Sequence, residues 1–494
     1  MGANMKRSSG ILMHISSLPG DYGIGTLGVE AYKFVDFLKK SGQRYWQILP
    51  LGQTGYGDSP YQCVSAFAGN PYFIDFDLLK EDGLLKEEDY KNEYFGKDNN
   101  SIDYGTLFIN KTKVLKKAYK NYNLISEKIN EFRNSNKYWL ENYTLYMAVK
   151  EHFNLISWQN WDENIRLRKD ESIEKYKKEL KDDIKYWEFI QYIFFKQWNS
   201  LKKYANDSGI KIIGDIPIYV AVDSADIWSN PKYFKVDKNM IPTKVAGCPP
   251  DLFSETGQLW GNPIYNWELM EQDGYKWWIK RIEDSFKIYD VVRIDHFRGF
   301  ESYWEVPYGE KTAINGRWVK GPGIKLFHTI KRELGEVNII AEDLGLLTDE
   351  VVKFRNQTGF PGMKVLQFAF GGGNVYLPHN YEKNCVVYTG THDNDTICGW
   401  YNETATEEEV EFANKYLALN YKEGIAFGFI RGIFSSVGNL AIATMQDFLS
   451  LGNEARMNFP STLGGNWKWR IRKYELTDEL SQKILELTKR YGRE

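Results

Sequence analysis

Cysteine is scarce in this chain, and its scarcity argues against a disulfide framework. Only four cysteines occur among 494 residues, at positions 63, 248, 385 and 398, and no two of them form a CxxC pair. A secreted protein held together by disulfides would carry more. We therefore interpret the four as reduced, mostly buried thiols and expect a cytoplasmic protein.

Long apolar runs and excess charge of one sign are absent as well. No run of about 18 apolar residues occurs, so no transmembrane helix is predicted, and the start MGANMKRSSG lacks the apolar core of a signal peptide. Lys and Arg number 63 against 66 Asp and Glu, a net charge of -3. This balance offers no electrostatic attraction for nucleic acid. We expect neither a nucleic-acid nor a membrane partner, and a neutral small-molecule substrate is favoured.

Short apolar runs that end in polar or small residues recur along the chain, with helical patterns between most of them. Strands that alternate with helices indicate a parallel sheet covered on both faces, and eight such units indicate a (β/α)₈ TIM barrel of class α/β. The eight runs cover residues 11–19, 45–51, 211–220, 290–297, 338–345, 363–370, 385–395 and 440–449.

The spacing of these runs predicts one catalytic domain over 1–494 with two insertions. Residues 78–205 are interpreted as a mainly helical insertion, because apolar residues from Ile184 to Leu201 recur every three or four positions. Residues 221–288 are rich in Gly and Pro, which predicts a loop-rich insertion over the cleft. About 45 residues follow the last strand, so no C-terminal β-sandwich domain is expected.

Carboxylates follow several of the predicted strands, where the chemistry of a barrel gathers. Any single one could equally be a helix N-cap. Several in one cleft would repel each other, which drives their pKa values apart and lets one stay protonated while another stays ionised. Glycoside chemistry requires this pair, a nucleophile and a proton donor. The strand ends carry Asp215, Asp295, Glu342, Asp343 and Asp393.

The stretch VVRIDHFRGF, residues 291–300, is the most informative of these strand ends. Asp295 is the candidate nucleophile, and Arg293, two residues earlier, should project to the same side and keep it ionised. His296 and His392 could bind sugar hydroxyls or be structural histidines. A salt bridge that holds the loop is the favoured role for Arg298.

The chain resembles glycoside hydrolase family 77, the 4-alpha-glucanotransferases called amylomaltase or disproportionating enzyme. VRIDHFRGF, AEDLG and GTHDN in this order are similar to the wider α-amylase clan, and SPY, GQLWGNP and GNWKWR narrow the resemblance to this family. Together with SSLPGDYGIGTLG, GDIPIYV and RMNFPST, the matching stretches run from residue 16 to residue 470.

The resemblance implies transfer of an α-1,4-glucan segment to the 4-hydroxyl of glucose or another glucan by a retaining double displacement, without metal or cofactor. It implies that Asp295 is the nucleophile, Glu342 the acid/base and Asp393 the transition-state stabiliser. Asp343 is expected to be either a substrate contact, a partner of the catalytic residues or an N-cap. The other substrate-binding residues implied are Tyr61, Asp215, Gln258, Trp260, Arg293, His296, His392 and Asn458. Tyr56 and Tyr104 match a second glucan contact, with a surface or core tyrosine as the alternative.

One departure from the family pattern concerns the acceptor side. The family usually has a glycine where this chain has Ser461, and a smaller residue where it has Phe459. Glycine takes a positive φ without steric cost, whereas serine does not. We therefore expect a changed loop shape near Asn458 and a changed acceptor preference.

Two rival functions remain open at this point. An α-1,4-glucan hydrolase of the same clan would use the same three carboxylates, so only the family motifs separate it from a transferase. A non-catalytic glucan-binding protein would keep aromatic residues but would have no reason to keep all three carboxylates. The sequence makes no prediction of oligomeric state.

Overall fold

The structure, a computed structural model, describes residues 5–55, 57–96, 98, 100–122, 127–250, 254–345 and 347–494. The strands in these ranges, in chain order, are β1 (Ser8–Leu12), β2 (Tyr45–Gln47), β3 (Lys211–Pro217), β4 (Lys244–Cys248), β5 (Gln258–Pro263), β6 (Val291–Asp295), β7 (Ser302–Pro307), β8 (Arg317–Lys320), β9 (Ile339–Ala341), β10 (Gly362–Val365), β11 (Cys385–Tyr388) and β12 (Leu440–Thr444). The helices are α1 (Val29–Lys40), α2 (Phe76–Glu81), α3 (Tyr104–Lys120), α4 (Glu127–His152), α5 (Glu163–Arg166), α6 (Asp170–Glu179), α7 (Lys181–Asp207), α8 (Ala225–Ser229), α9 (Trp267–Gln272), α10 (Lys276–Ile288), α11 (Ile324–Leu334), α12 (Asp349–Thr358), α13 (Ile397–Gly399), α14 (Glu407–Leu417), α15 (Ile425–Ser435), α16 (Met445–Phe448) and α17 (Asp478–Arg490).

Eight of these strands form a parallel sheet that curls into a nearly closed barrel. Neighbouring strands pair in the order β10-β11-β12-β1-β2-β3-β6-β9. The gap between the two end strands is bridged by the Ala341 N–H, which donates to the carbonyl of Pro361 at 2.9 Å, one residue before β10. Helices lie between most barrel strands in the chain. The predicted (β/α)₈ barrel is therefore confirmed.

The first strand begins earlier than the apolar pattern predicts. The sequence pattern covers 11–19, whereas β1 starts at Ser8 and all five of its residues are buried. Small residues are required here, because a Cβ on Gly10 would lie 2.5 Å from the carbonyl oxygen of Tyr45. A run of serines and glycine has no apolar signal, so its burial in the sheet was not visible in the sequence.

Side chains alternate between the barrel interior and the surrounding helices. Ile213, Val291 and Ile340 belong to a small apolar cluster contributed by barrel strands, whereas Val292 and Ile294 belong to the larger cluster that includes the helices. In a strand, residues two apart share a side. Arg293 and Asp295 therefore project inward on the same side as Val291, toward the C-terminal rim.

The segment 78–205, predicted to be mainly helical, contains α3 to α6, most of α7 and the end of α2. Helix α7 contains the apolar stripe recognised in the sequence and is 27 residues long. It contacts α4 of the same segment and also α1 and β3 of the barrel. Its C-cap is Ser208, and Gly209 follows with a φ of 82°, the left-handed conformation that commonly ends a helix.

The segment 221–288 is more regular than the predicted loop. It contains α8, α9 and α10, and its strands β4 and β5 form an antiparallel sheet with β7 and β8 in the order β5-β4-β7-β8. The partner strand β7 follows the fourth barrel strand in the chain, and a register irregularity lies between Val245 and Gly247. Short strands that contain Gly and Pro and pair with a distant segment have no clear local pattern.

The chain after the last barrel strand is helical or irregular. Residues 445–494, all of which the structure describes, contain α16 and α17 and no strand. Among the described residues, no helix has the length and apolar character needed to cross a membrane.

Candidate active site

The candidate nucleophile Asp295 is the last residue of β6 and lies beside a buried arginine. The Nη1 atom of Arg293 lies 3.1 Å from Oδ1 of Asp295 and 2.6 Å from Oδ2 of Asp215. β3 and β6 pair so that Asp215 faces Arg293 across the ladder. One guanidinium therefore joins the two carboxylates.

Asp215 is fully buried beneath the rim. Its Oδ2 accepts a hydrogen bond from the Tyr61 hydroxyl at 2.9 Å in addition to that from Arg293. Burial raises the pKa of Asp215, and the charge of Arg293 opposes this shift. Its Oδ1 has no protein hydrogen-bond partner within the described part of the chain.

Glu342 lies directly after β9, next to the end of β6. Its Oε2 accepts the N–H of His296 at 2.7 Å and its Oε1 accepts the N–H of Leu344 at 2.8 Å. Burial, and next the negative charge of Asp295, raise the pKa of Glu342, although Arg293 and the two amides act in the opposite direction. Glu342 can therefore hold a proton at a pH where an ordinary glutamate has lost it, which suits a general acid.

Asp393 lies in the loop after β11 and stays accessible, with 45% of its side chain exposed. Its Oδ1 accepts the Asn458 side-chain amide at 2.7 Å and lies 3.4 Å from Nε2 of His392. Its backbone carbonyl accepts a hydrogen bond from Nη2 of Arg456 at 2.7 Å. Both side-chain contacts engage the same carboxylate oxygen, Oδ1.

Three rings form a wall next to these carboxylates. Tyr61 stacks on His392 with ring centroids 5.0 Å apart and an interplanar angle of 19°. Trp467 is tilted against both, at 6.0 Å from Tyr61 and 5.8 Å from His392. The Tyr61 hydroxyl thus links this wall to Asp215. His14 lies nearby, and burial, with a smaller contribution from its neighbour His392, lowers the pKa of His14 to about 3.

A second aromatic contact comes from the antiparallel sheet. Trp260 of β5 meets His296 edge-on at 4.7 Å, and its indole N–H donates to the side chain of Gln258 at 3.1 Å. His296 has a left-handed backbone with φ 52°. Burial lowers its pKa to about 3, so the imidazole is neutral. Gln258, Trp260 and His296 form the part of the site contributed by the second insertion and the β6 loop.

Asp343 has a different environment from the other predicted site residues. It is buried, and its Oδ2 accepts Nη1 of Arg355 at 2.7 Å while its Oδ1 accepts the N–H of Met363 at 2.7 Å. Both oxygens are thus engaged by α12 and β10. The structure places Asp343 in an ion pair and a hydrogen bond that join these two elements.

Asp343→Asn is expected to lower the free energy of unfolding by about 3 kcal/mol, because removing the buried partner of an ion pair is strongly destabilising and leaves Arg355 with only the exposed Glu382. The KM for the substrate should stay unchanged, since both carboxylate oxygens are engaged by Arg355 and Met363. Urea unfolding and steady-state kinetics measure the two effects. Glu382→Gln is the matched control, because Glu382 pairs with the same arginine but is itself exposed. This substitution should lower the free energy of unfolding by less than about 1 kcal/mol. A raised KM for Asp343→Asn would assign the residue to substrate binding.

The predicted second glucan contact and the unusual loop lie close to Trp467. The Tyr104 hydroxyl donates to the Trp467 carbonyl at 2.8 Å, so it supports that loop, and Tyr56 lies outside the described residues. Ser461 has φ 63°, the left-handed conformation that a glycine adopts freely. Phe459 is exposed, and its ring lies over the Arg456 guanidinium at 4.1 Å.

Three further residues of the site were missed in the sequence. Arg456 holds the Asp393 backbone and forms an ion pair with Asp395, Trp467 completes the aromatic wall, and His14 lies beside His392. Both Arg456 and Trp467 lie within stretches that carry the family resemblance, RMNFPST and GNWKWR, which is the signal that could have identified them. His14 had no such signal, because a histidine in an apolar run is usually structural.

Within the described residues, no group of three or more His, Cys, Asp or Glu side chains could hold a metal ion.

A family model described as 4-alpha-glucanotransferase (Glyco_hydro_77) matches residues 13–477. This chain belongs to the 4-alpha-glucanotransferases of glycoside hydrolase family 77. The matched range contains all the carboxylates of the rim, so the family assignment and the geometry concern the same part of the molecule.

Relatives of this family match the chain over almost its whole length. A 4-alpha-glucanotransferase of Clostridium butyricum is 60% identical over 485 residues, which are 97% of this chain and 100% of the relative. One of Streptococcus pneumoniae is 55% identical over 493 residues, 99% of this chain and 98% of the relative. The structure of amylomaltase from Streptococcus agalactiae in complex with acarbose has a TM-score of 0.96 and 47% identity, covering 99% of this chain and 100% of that one. These names favour the transferase over the hydrolase alternative.

Proposed function

We propose that this 4-alpha-glucanotransferase moves an α-1,4-glucan segment by a retaining double displacement that uses Asp295, Glu342 and Asp393. The observation that supports these roles is the contrast between two neighbouring carboxyl groups. Asp295 lies 3.1 Å from the Arg293 guanidinium, an ion pair that suits a nucleophilic carboxylate. Glu342 is buried with a raised pKa, which keeps it protonated. A nucleophile and a proton donor at one rim are what glycoside cleavage requires.

In the first half-reaction, Asp295 attacks the anomeric carbon of the donor glucan. A bond forms between its carboxylate oxygen and that carbon, and the bond to the departing 4-oxygen breaks. Glu342 gives its proton to that oxygen, so the leaving chain departs with a neutral hydroxyl. The product is a glucosyl enzyme of inverted, β configuration, and Glu342 is then ionised.

Residues around the nucleophile hold the sugar ring during this step. Asp393, held by Asn458 and close to His392, binds ring hydroxyls and favours the distorted, oxocarbenium-like state. Asp215 lies beneath this part of the site and accepts the Tyr61 hydroxyl, which holds the Tyr61 ring beside the donor sugar. These contacts favour the transition state more than the ground state, which is how they would raise the rate.

In the second half-reaction, the 4-hydroxyl of glucose or of a maltooligosaccharide replaces the departed chain. Glu342, now a base, removes its proton as the new oxygen–carbon bond forms and the bond to Asp295 breaks. The pair of strands β4 and β5 carries Gln258 and Trp260 to the site, where Trp260 contacts His296. This cover excludes water, so a sugar is favoured as acceptor. Acid, base and nucleophile suffice for both steps, and no cofactor is invoked.

Incubation with maltotriose alone tests transfer against hydrolysis. We expect a ladder of longer maltooligosaccharides together with glucose, because each transfer makes one chain longer and another shorter. The number of reducing ends should stay constant, since a transfer breaks one glycosidic bond and makes another. Chromatography over time and a reducing-end assay measure the two quantities. Glucose and maltose with rising reducing ends would instead identify a hydrolase.

The proposed place of action is the cytoplasm. All four cysteines are free thiols in the structure, and Cys385 is buried. Burial raises the pKa of Cys63 and of Cys385 to about 12, so both stay protonated and unreactive near neutral pH. Such thiols are typical of proteins from a reducing compartment.

A further inference from the structure

An exposed tryptophan lies at the edge of the antiparallel sheet that is opposite Trp260. Trp318 belongs to β8 and is 39% exposed. The Arg298 guanidinium carbon lies 4.1 Å from the centre of its ring, and Trp304 of β7 meets it edge-on at 5.4 Å and 71°. One face of the Trp318 ring is therefore covered by Arg298, Trp304 packs against the ring, and a substantial part of Trp318 remains exposed.

A cleft of about 220 Å³ lies beside this ring. Three segments contribute to it, namely the loop after β6, strand β8 and the start of α12. The side chains that matter here are Arg298, Glu301, Trp318, Lys320, Thr348 and Glu350. Two positive and two negative groups line the cleft, and Lys320 pairs with Glu301. Because these charges balance, the cleft does not favour a charged ligand, and its walls offer both donors and acceptors.

The cleft is connected by short stretches of chain to the catalytic rim. Arg298 is three residues after Asp295, and Thr348 is six residues after Glu342. The sheet order β5-β4-β7-β8 places Trp318 three strand spacings from the strand of Trp260, which is about 14 Å. The cleft is thus close to the site that cleaves the glucan but separate from the residues that contact the reacting sugar.

We propose that Trp318 and its cleft form a remote sugar-binding site that holds one glucose unit of a long α-glucan outside the active-site cleft. A pyranose ring has an apolar face, which stacks on an aromatic side chain, and hydroxyls at its edge, which bind to side chains such as those of Glu301, Lys320 and Thr348. The ligand is neutral, as the balanced charges require. The proposal rests on the glucan substrate of the proposed function.

The test is a comparison of long and short substrates. In the inactive Asp295→Asn background, we expect Trp318→Ala to weaken binding of amylose about three- to tenfold, the range that loss of one aromatic stacking contact predicts. Affinity electrophoresis in gels that contain amylose measures this change. In the active protein, Trp318→Ala should raise the KM for amylose by a similar factor and leave kcat/KM for maltotriose unchanged, because maltotriose needs only the catalytic cleft.

Two variants separate stacking from a structural effect. Trp318→Phe keeps an aromatic face and should retain most of the amylose affinity, whereas Tyr421→Ala removes a 93% exposed ring elsewhere and should change nothing. Unchanged amylose binding by Trp318→Ala would overturn the proposal, and so would an equal loss with amylose and maltotriose. A failure of the proposed function would be seen separately, as an absence of transfer by the unmodified protein.

Discussion

Replacing Asp295 by asparagine is expected to abolish glucan transfer, with a loss of roughly 10⁴-fold or more in kcat, as is usual for removal of a catalytic nucleophile. The amide has the size of the carboxylate but cannot form the glucosyl enzyme. Binding of maltooligosaccharides should remain nearly unchanged, because the side chain supplies the reacting bond and little of the contact surface. The rate is measured with maltotriose and the affinity by calorimetry on the same preparation.

The control for this variant is Asp290→Asn. Asp290 precedes the same strand at the opposite, N-terminal end of the barrel, where it accepts the Ile212 N–H at 2.8 Å. Its replacement should leave transfer by the folded protein unchanged. If Asp295→Asn retained substantial transfer, the proposed nucleophile would be wrong. If Asp295→Asn lost glucan binding together with activity, the main role of Asp295 would be substrate binding.

Replacing Glu342 by glutamine should lower the rate with maltotriose by about 10²- to 10⁴-fold, which is the range that general acid–base catalysis contributes. The glutamine side chain cannot give up a proton to the leaving 4-oxygen. With maltosyl fluoride as donor, the first half-reaction needs no such proton, because fluoride departs unaided. Formation of the glucosyl enzyme from the fluoride should therefore survive in Glu342→Gln, whereas Asp295→Asn should fail with both donors.

The pH profile gives an independent test of the same residue. The first half-reaction requires protonated Glu342, so kcat/KM should fall as the pH rises through its raised pKa. Burial and the Asp295 charge place that alkaline limb above the range of an ordinary glutamate. The limb should disappear in Glu342→Gln when the fluoride is the donor. An alkaline limb that persisted unchanged would assign it to another group, and equal losses with both donors would exclude the acid role.

The sequence predicted those parts of the candidate active site that depend on the positions and the side-chain alternation of the strands. Alternation along β6 predicts that Arg293 and Asp295 share one side of the strand, and the observed 3.1 Å contact agrees with it. Asp215 and Glu342 are candidates because each follows an apolar run at the end where barrel chemistry lies. These predictions need only local sequence and a general rule about parallel barrels.

The environment of each carboxylate was harder to predict from the sequence. Asp343 and Glu342 are neighbours in the chain, yet one is paired with Arg355 on α12 and the other accepts two backbone amides at the rim. Both follow the same strand, so local pattern alone could not separate a structural ion pair from the proposed proton donor. The difference arises because successive side chains after a strand point in different directions and meet different elements.

The amino-acid sequence by itself determined the parallel barrel, the family and the chain positions of the three carboxylates, because periodicity and motifs are local properties. Only the tertiary structure decided that β4 and β5 pair with β7, that Trp467 joins Tyr61 and His392, and that Arg456 holds the loop of Asp393. These contacts join segments far apart in the chain. Their energies depend on packing and burial between elements, which no local pattern in the sequence specifies.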